Sequence, residues 1–196
     1  MEASPSKLSQ VLFDCLYTTK DLKTVSDLLE SLSQNKTFKH HAQNIVADPN
    51  LTDGQKNTQL LYLLQSIDNH FLYDFFSDML EKHHLWLFHS DKIDYFDRFV
   101  QEFQSLADNS RVLYLITAAS LSPSEIEKVT KQFKTGLGFR VLIDHQVNPA
   151  IIGGVQAKLE NYLFDVSLRT KFHQFESDWL KTLDHTSEKV GARPIA

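Results

Sequence analysis

Histidine, cysteine and paired glycine are the residues here whose types and spacing could do chemistry. His83, His84 and His89 crowd the stretch HHLWLFH, and His40 and His41 form a second pair. Imidazoles ligate zinc when two or more converge with cysteine or carboxylate partners. His83 and His84 are instead neighbours, about 100° apart on a helix, and no cysteine or carboxylate stands at zinc-like spacing. They are expected to face solvent at a helix end, where they suit the negative end of the helix dipole; His40 and His41 are read the same way. Cys15, the single cysteine, excludes an internal disulfide framework. A thiol activated by an imidazole could act as a nucleophile. Cys15, however, falls in an apolar helical stripe, where cysteine behaves as a small hydrophobe, so a core position is expected. Asp144-His145 has the composition of an acid–base pair without a nucleophile nearby in sequence. No catalytic, cofactor-binding or metal-ligating set is expected, although a hydrolase built on Cys15 or on His83, His84 and His89 stays open as an alternative.

The glycine pair in VNPAIIGGV, Val147 to Val155, raises a nucleotide question. A dinucleotide site needs Gly-x-Gly-x-x-Gly between strand and helix, and a P-loop needs a Gly-Lys-Ser/Thr ending. This stretch has neither, and a strand follows it. Gly153 and Gly154 are expected to serve the backbone, at a bulge or where another strand passes close.

The elements that must position these residues fall into two groups with different periods. From Ser4 to about Leu106 the chain reads as successive helices. The first carries Leu8, Val11, Leu12, Cys15 and Leu16. The second, with Asp21 as its cap, carries Leu22, Val25, Leu28, Leu29 and Leu32. A short helix from Phe38 to Ala47 stops at Asp48-Pro49. Thr52 or Asp53 opens a fourth with Leu60, Leu61, Leu63, Leu64 and Ile67. A fifth, from about Asn69 to His83, carries Phe71, Leu72, Phe75, Phe76, Met79 and Leu80. The sixth uses Ile93, Phe96, Phe99, Val100, Phe103 and Leu106. Short connections favour an antiparallel bundle.

Beyond residues 107–110, read as a linker, the pattern changes. Arg111–Ser120 is rich enough in β-branched and aromatic residues for a strand. Ser122, Pro123 and Glu125 form a capped helix start with Ile126, Val129 and Phe133 behind it, and Gly136 and Gly138 end that helix. FRVLID reads as a second strand, and VQAKL and YLFDV as a hairpin turning at Glu160-Asn161. A last helix places Leu168, Phe172, Phe175, Trp179 and Leu183 on one face, and residues 184–196 are expected to be flexible. The fold class is therefore mostly α with a small α/β part: an N-terminal helical bundle over 1–106 and a C-terminal α/β domain over 111–183.

Composition narrows the class further. A net charge of −5 gives no electrostatic grip on nucleic acid or anionic lipid. No apolar run approaches the ~18 residues of a transmembrane helix. Fourteen phenylalanines in 196 residues are an excess. The doubled stripe Phe71/Phe75/Met79 beside Leu72/Phe76/Leu80 reads either as a helix buried on most sides or as one that also holds a partner helix in a groove.

VNPAIIGGVQAKLENYLFDVSLRTKF resembles the signature of the F-type ATP synthase delta subunit family, called OSCP in mitochondria. That signature runs through an acid and Pro, two aliphatics, Gly-Gly, a strand, a tight turn and Asp-x-Ser. The matching residues are Val147, Pro149, Ile151, Ile152, Gly153, Gly154, Asp165, Ser167 and Leu168. TAASLSPSEIEKV and DPNLTDGQKNTQLL resemble two further family segments. Asn148 stands where the family has an acid, a small loss because Asn also serves that turn. EKHHLWLF replaces an Asn-Gly-Arg-Leu-like segment after the fifth helix.

The resemblance implies a peripheral-stalk subunit, without catalysis or cofactor, that joins the catalytic head of a proton-driven ATP synthase to its membrane-anchored stalk. It implies that the first and fifth helices receive the N-terminal helix of the α subunit, here through Leu8, Leu12, Leu16, Phe71, Phe75 and Met79. The stalk b subunit would meet the C-terminal domain through Phe172, Phe175 and Trp179 or their surroundings. The expected place is the cytoplasmic side of a bacterial inner membrane, suggested by Met1 and the mildly acidic charge, with the matrix side of the mitochondrial inner membrane as alternative. A helical scaffold unrelated to ATP synthase is the competing reading.

Overall fold

The computed structural model describes residues 4–65, 67–89, 94–151 and 153–165. The chain divides into two compact units, Met1–Ser110 and Arg111–Ala196. The first is helical, and the second holds a four-stranded sheet and a helix. This is the α-bundle followed by a small α/β part that the two periodicities predict.

The first unit comprises α1 (Pro5–Asp14), α2 (Thr19–Gln34), α3 (Lys36–Ala47), α4 (Asp53–Leu64), α5 (His70–Glu81), a 3₁₀ turn (Leu85–Phe88) and α6 (Tyr95–Asp108). Each α-helix begins at a side-chain cap: Ser4, Thr18, Asn35, Thr52, Asn69 and Asp94. Such caps satisfy first-turn N–H groups that have no partner inside the helix. Asp21, expected as the cap of α2, lies three residues past the true cap. Thr18 accepts the Asp21 N–H at 3.0 Å and donates its hydroxyl to the Asp21 carboxylate at 2.7 Å. Threonine fits the cap because its oxygen can accept while its proton satisfies the acid behind it.

Helix α6 is the centre of the bundle, with α1 and α2 packed on it, while α3 packs on α2, α4 and the 3₁₀ turn. Phenylalanine fills the space between them. Phe38, Phe76, Phe88, Phe96 and Phe99 form one cluster with ring centroids 5.6 to 6.4 Å apart, and all five are buried. Tilted and edge-on aromatic pairs at this spacing add roughly 0.5–1.5 kcal/mol each beyond area burial. Much of the phenylalanine excess is therefore core. Ser9 is the buried polar exception: its hydroxyl lies 2.8 Å from both the Pro5 and the Phe99 carbonyl oxygens, tying α1 to α6.

In the second unit β1 (Arg111–Thr117), α7 (Pro123–Leu137), β2 (Val141–Val147), β3 (Val155–Leu159) and β4 (Tyr162–Asp165) follow in sequence. The sheet order is β2-β1-β3-β4, with β1 and β2 parallel and the other pairs antiparallel. The Ser122/Glu125 capping box and Pro123 start α7, and Gly138, with φ 76°, ends it in the left-handed region that glycine enters freely. Gly136 lies within the helix. Leu113, Leu115, Val141, Ile143, Ala157 and Leu159 make the core, against which Ile126, Val129 and Phe133 of α7 pack. Strand β1 stops three residues before Ser120, because the Thr117 hydroxyl donates to the Ala119 carbonyl and turns the chain.

The expectation for Cys15 fails: the thiol is exposed. Helix α1 ends at Asp14, and its inward face is Leu8, Ser9, Leu12 and Phe13, so the stripe is rotated away from Val11 and Cys15. A buried serine in place of an apolar residue disguised that rotation.

Candidate partner-binding surface

Helices α1 and α5 both reach Phe99 of α6. Ser9 of α1 bonds to the Phe99 carbonyl, and the Phe75 ring of α5 stacks on the Phe99 ring, with centroids 6.2 Å apart and planes 14° from parallel. Some apolar side chains of α1 and α5 are open to solvent. Val11 is 54 % exposed and Phe71 37 % exposed, Phe75 is half-buried, and Cys15 lies one turn beyond Val11. Leu8, Leu12, Leu16 and Met79, assigned to partner contact on the helical stripes, are buried in the bundle itself. Periodicity identifies a stripe, but cannot separate its inward edge from its outward edge. Val11 belongs to the α1 stripe in the sequence, and only its exposure marks it as an outward position.

The end of α5 shows what HHLWLFH does. His83 takes φ 62°, its N–H donates to the Leu80 carbonyl, and the His84 N–H donates to the Met79 carbonyl at 3.2 Å. This is the paired-bond termination that ordinarily uses glycine. The following 3₁₀ turn then buries Leu87 and Phe88. The histidines thus close a helix and launch a core segment. Among the described residues no group of three His, Cys, Asp or Glu is placed to hold a metal ion. Asp144 and His145 are consecutive on β2, so their side chains leave opposite faces of the sheet. His145 Nε2 lies 2.7 Å from the Thr117 hydroxyl. That hydroxyl already donates to Ala119, so it accepts from the imidazole.

The motif region is a turn built by Asn148. Its side-chain oxygen accepts the Ala150 N–H at 3.0 Å, its own N–H donates to the Thr117 carbonyl at 2.8 Å, and its carbonyl accepts the Ile151 N–H at 3.1 Å. An aspartate oxygen could do the same, which is why Asn replaces an acid here without loss of the turn. Val147 and Pro149 are exposed, and Ile151 is buried beneath the turn. Gly153 and Gly154 have φ 74° and 86°, so both glycines are left-handed and lead into β3. Asp165 accepts a hydrogen bond from Gln156 across the β3–β4 pair at 2.9 Å. Ile152, Ser167, Phe172, Phe175 and Trp179 lie outside the described residues.

Lys39 is the main charged tie in the bundle. Its ammonium pairs with Asp94 at 2.8 Å and with Asp97, which also accepts from Ser33 at 2.6 Å. Burial pushes the Asp97 carboxyl up, but hydrogen bonds from Lys39 and Ser33 and the Lys39 charge outweigh it, leaving it below the ordinary carboxylate value. Burial likewise pulls Lys39 down, and the two aspartates outweigh that and hold it above the ordinary lysine value.

The family model for the ATP synthase delta (OSCP) subunit matches residues 7–178. ATP synthase subunit delta of Ligilactobacillus salivarius is 38 % identical over 90 residues, 45 % of this chain and 48 % of that one. Mitochondrial ATP synthase subunit O of Ipomoea batatas is 30 % identical over 106 residues, 52 % of this chain and 43 % of its own length. In both, the match spans about half the relative. ATP synthase subunit delta of Lactobacillus johnsonii is 23 % identical over 183 residues, covering 92 % of this chain and 96 % of that one. With a family model spanning nearly the whole sequence, the chain belongs to the ATP synthase delta (OSCP) subunit family.

Proposed function

We propose that this chain is the non-catalytic stator subunit that joins the catalytic head of an F-type ATP synthase to its peripheral stalk and resists the torque of the rotor. The observation that carries this reading is a family match running through both structural units, residues 7–178. The helical unit would hold the head, and the α/β unit the stalk. On the helical unit, Val11, Phe71 and Phe75 provide the apolar surface for an amphipathic helix at the N-terminus of the α subunit. Leu8, Leu12, Leu16 and Met79 hold those positions rigid. The stalk b subunit docks on the α/β unit, on or around the segment bearing Phe172, Phe175 and Trp179. No helix among the described residues is long and apolar enough to cross a membrane, so membrane association would run through the complex.

The physics of a tether sets the demands on such a surface. It must stay bound through each rotation, and affinity among related interfaces is tuned mainly through the off-rate. Buried apolar anchors give about 1.5–3 kcal/mol per side chain fully removed from water. Nanomolar binding needs about 12 kcal/mol net of ordering costs. A few anchors on a pre-formed surface suffice.

Membranes stripped of this subunit provide the test. Adding the purified chain should restore proton-driven ATP synthesis while ATP hydrolysis by the head proceeds with or without it. Failure to restore coupling, with the chain folded and present, would overturn the stator reading.

A further inference from the structure

The charge of the chain is unevenly divided. Up to Ser110 the sequence holds 9 lysines and arginines against 16 aspartates and glutamates, and from Arg111 on it holds 11 against 9. The helical unit therefore carries −7 at neutral pH and the rest of the chain +2, together the −5 of the whole. Part of that negative charge stands among the apolar positions of α5. Phe71, Asp74, Phe75 and Asp78 are spaced i, i+3, i+4 and i+7, so they form one stripe along the helix. Phe71, Asp74 and Asp78 are exposed and Phe75 is half-buried, so phenyl and carboxylate alternate along it. Lys82 reaches back to Asp78 at 2.6 Å, with both side chains mostly exposed. A pair so exposed contributes little, and it leaves the stripe with a net negative charge. On α1, Val11 has Lys7 one turn before it and Asp14 one turn after it, so the charge there is balanced.

We propose that this surface takes a cationic amphipathic helix, one whose apolar stripe is flanked by lysine or arginine, with Asp74 and Asp78 as the groups that select it. The inference rests on the head-binding reading of the surface and adds the charge of the partner to it. A helix packed on Phe71 and Phe75 must pass over Asp74 and Asp78. Apolar side chains there would strip water from the carboxylates without replacing it, and acidic ones would be repelled. A lysine or arginine gives each carboxylate a partner, while its aliphatic stem still covers the neighbouring ring. The field of the whole helical unit acts in the same sense at longer range and draws a cationic segment in before contact. The two kinds of side chain thus divide the work. The phenyl groups hold the bound helix and set the off-rate, and the carboxylates raise the on-rate and reject acidic helices of equal apolarity.

The probe is a synthetic peptide of the α-subunit N-terminal helix, made as such and with every lysine and arginine replaced by glutamine. Each is mixed with the full-length protein in a stopped-flow instrument. At low salt the unaltered peptide should associate at least roughly tenfold faster than the neutralised one. The difference should vanish as NaCl rises from about 10 mM to about 1 M and the screening length falls from ~30 Å to ~3 Å. Asp74→Lys should slow the unaltered peptide by a similar factor and leave the neutralised one unchanged, with the melting temperature of the exposed variant in place. Phe71→Ala should speed dissociation of both peptides. Equal association rates for the two peptides, or an Asp74→Lys variant as fast as the parent, would overturn the charge inference, while a response to Phe71→Ala would keep the surface itself. Dissociation unmoved by Phe71→Ala, or no binding of either peptide, would remove the surface and the inference with it.

Discussion

At the residue scale, three residues sit where the backbone decides what is tolerated. Gly154 has φ 86°, where a β-branched residue meets its own backbone. Gly154→Val should therefore destabilise the α/β unit by about 1–3 kcal/mol, read as a lowered unfolding midpoint; an unchanged midpoint would contradict the strain argument. His83 pays the same kind of cost at φ 62° at the end of α5. His83→Gly should raise the stability of the bundle by roughly 1 kcal/mol, seen as a higher melting temperature, because the terminating bonds stay in place. Asn148→Ala should cost about 1 kcal/mol by orphaning the Ala150 N–H, whereas Asn148→Asp should be close to neutral. The glycine pair was legible in sequence as a backbone device. Its left-handed geometry was not, because bulge, close approach and turn share the same residues. The histidines fall at a helix end, as their spacing suggests, but nothing local reveals that His83 occupies a left-handed, glycine-like position.

At the scale of elements, helix starts were the most readable feature, since Ser122-Pro123-Glu125 and Thr52 are local signals that tertiary packing has no reason to override. Helix faces were less readable. Ser9 looks polar in a stripe that would otherwise point inward, so Cys15 was given its place in the core. Only the pairing of α1 with α6, through the Phe99 carbonyl, makes Ser9 an inward residue. The Lys39 tie between α3 and α6 also joins residues far apart in sequence and had no local signature. Its pH dependence follows from the two shifts. Asp97 lies below its unfolded value, so its stabilisation is present above the ordinary carboxylate range and lost as pH falls through its folded pKa. Lys39 lies above its unfolded value, so its part is complete below the ordinary lysine pKa and lost as pH rises through its folded one. Lys39→Met should thus lower the melting temperature at neutral pH, by an amount worth about 1 kcal/mol, and the gap to the parent should close in strong acid. A gap that persists unchanged at acid pH would show that packing, rather than the ion pair, carries the effect.

At the scale of the whole molecule, two periods in one sequence announced two units, and the Gly-Gly to Asp-x-Ser block announced the family. What the stripes could not provide was the partition between core and surface. A leucine every third or fourth residue looks the same whether it faces a sister helix or a partner. The fold resolves it: Leu8, Leu12, Leu16 and Met79 are interior, and Val11 and Phe71 are open. Those two carry the central claim. A peptide with the N-terminal helix of the α subunit, the partner proposed for this surface, titrated calorimetrically into the full-length chain and into Val11→Asp and Phe71→Asp variants, tests it most directly. The account predicts tight binding to the parent, at least roughly tenfold weaker binding to each variant, about 1.4 kcal/mol, and melting temperatures close to the parent's because both positions are exposed. Undiminished affinity in folded variants would contradict the assignment of this surface to the catalytic head.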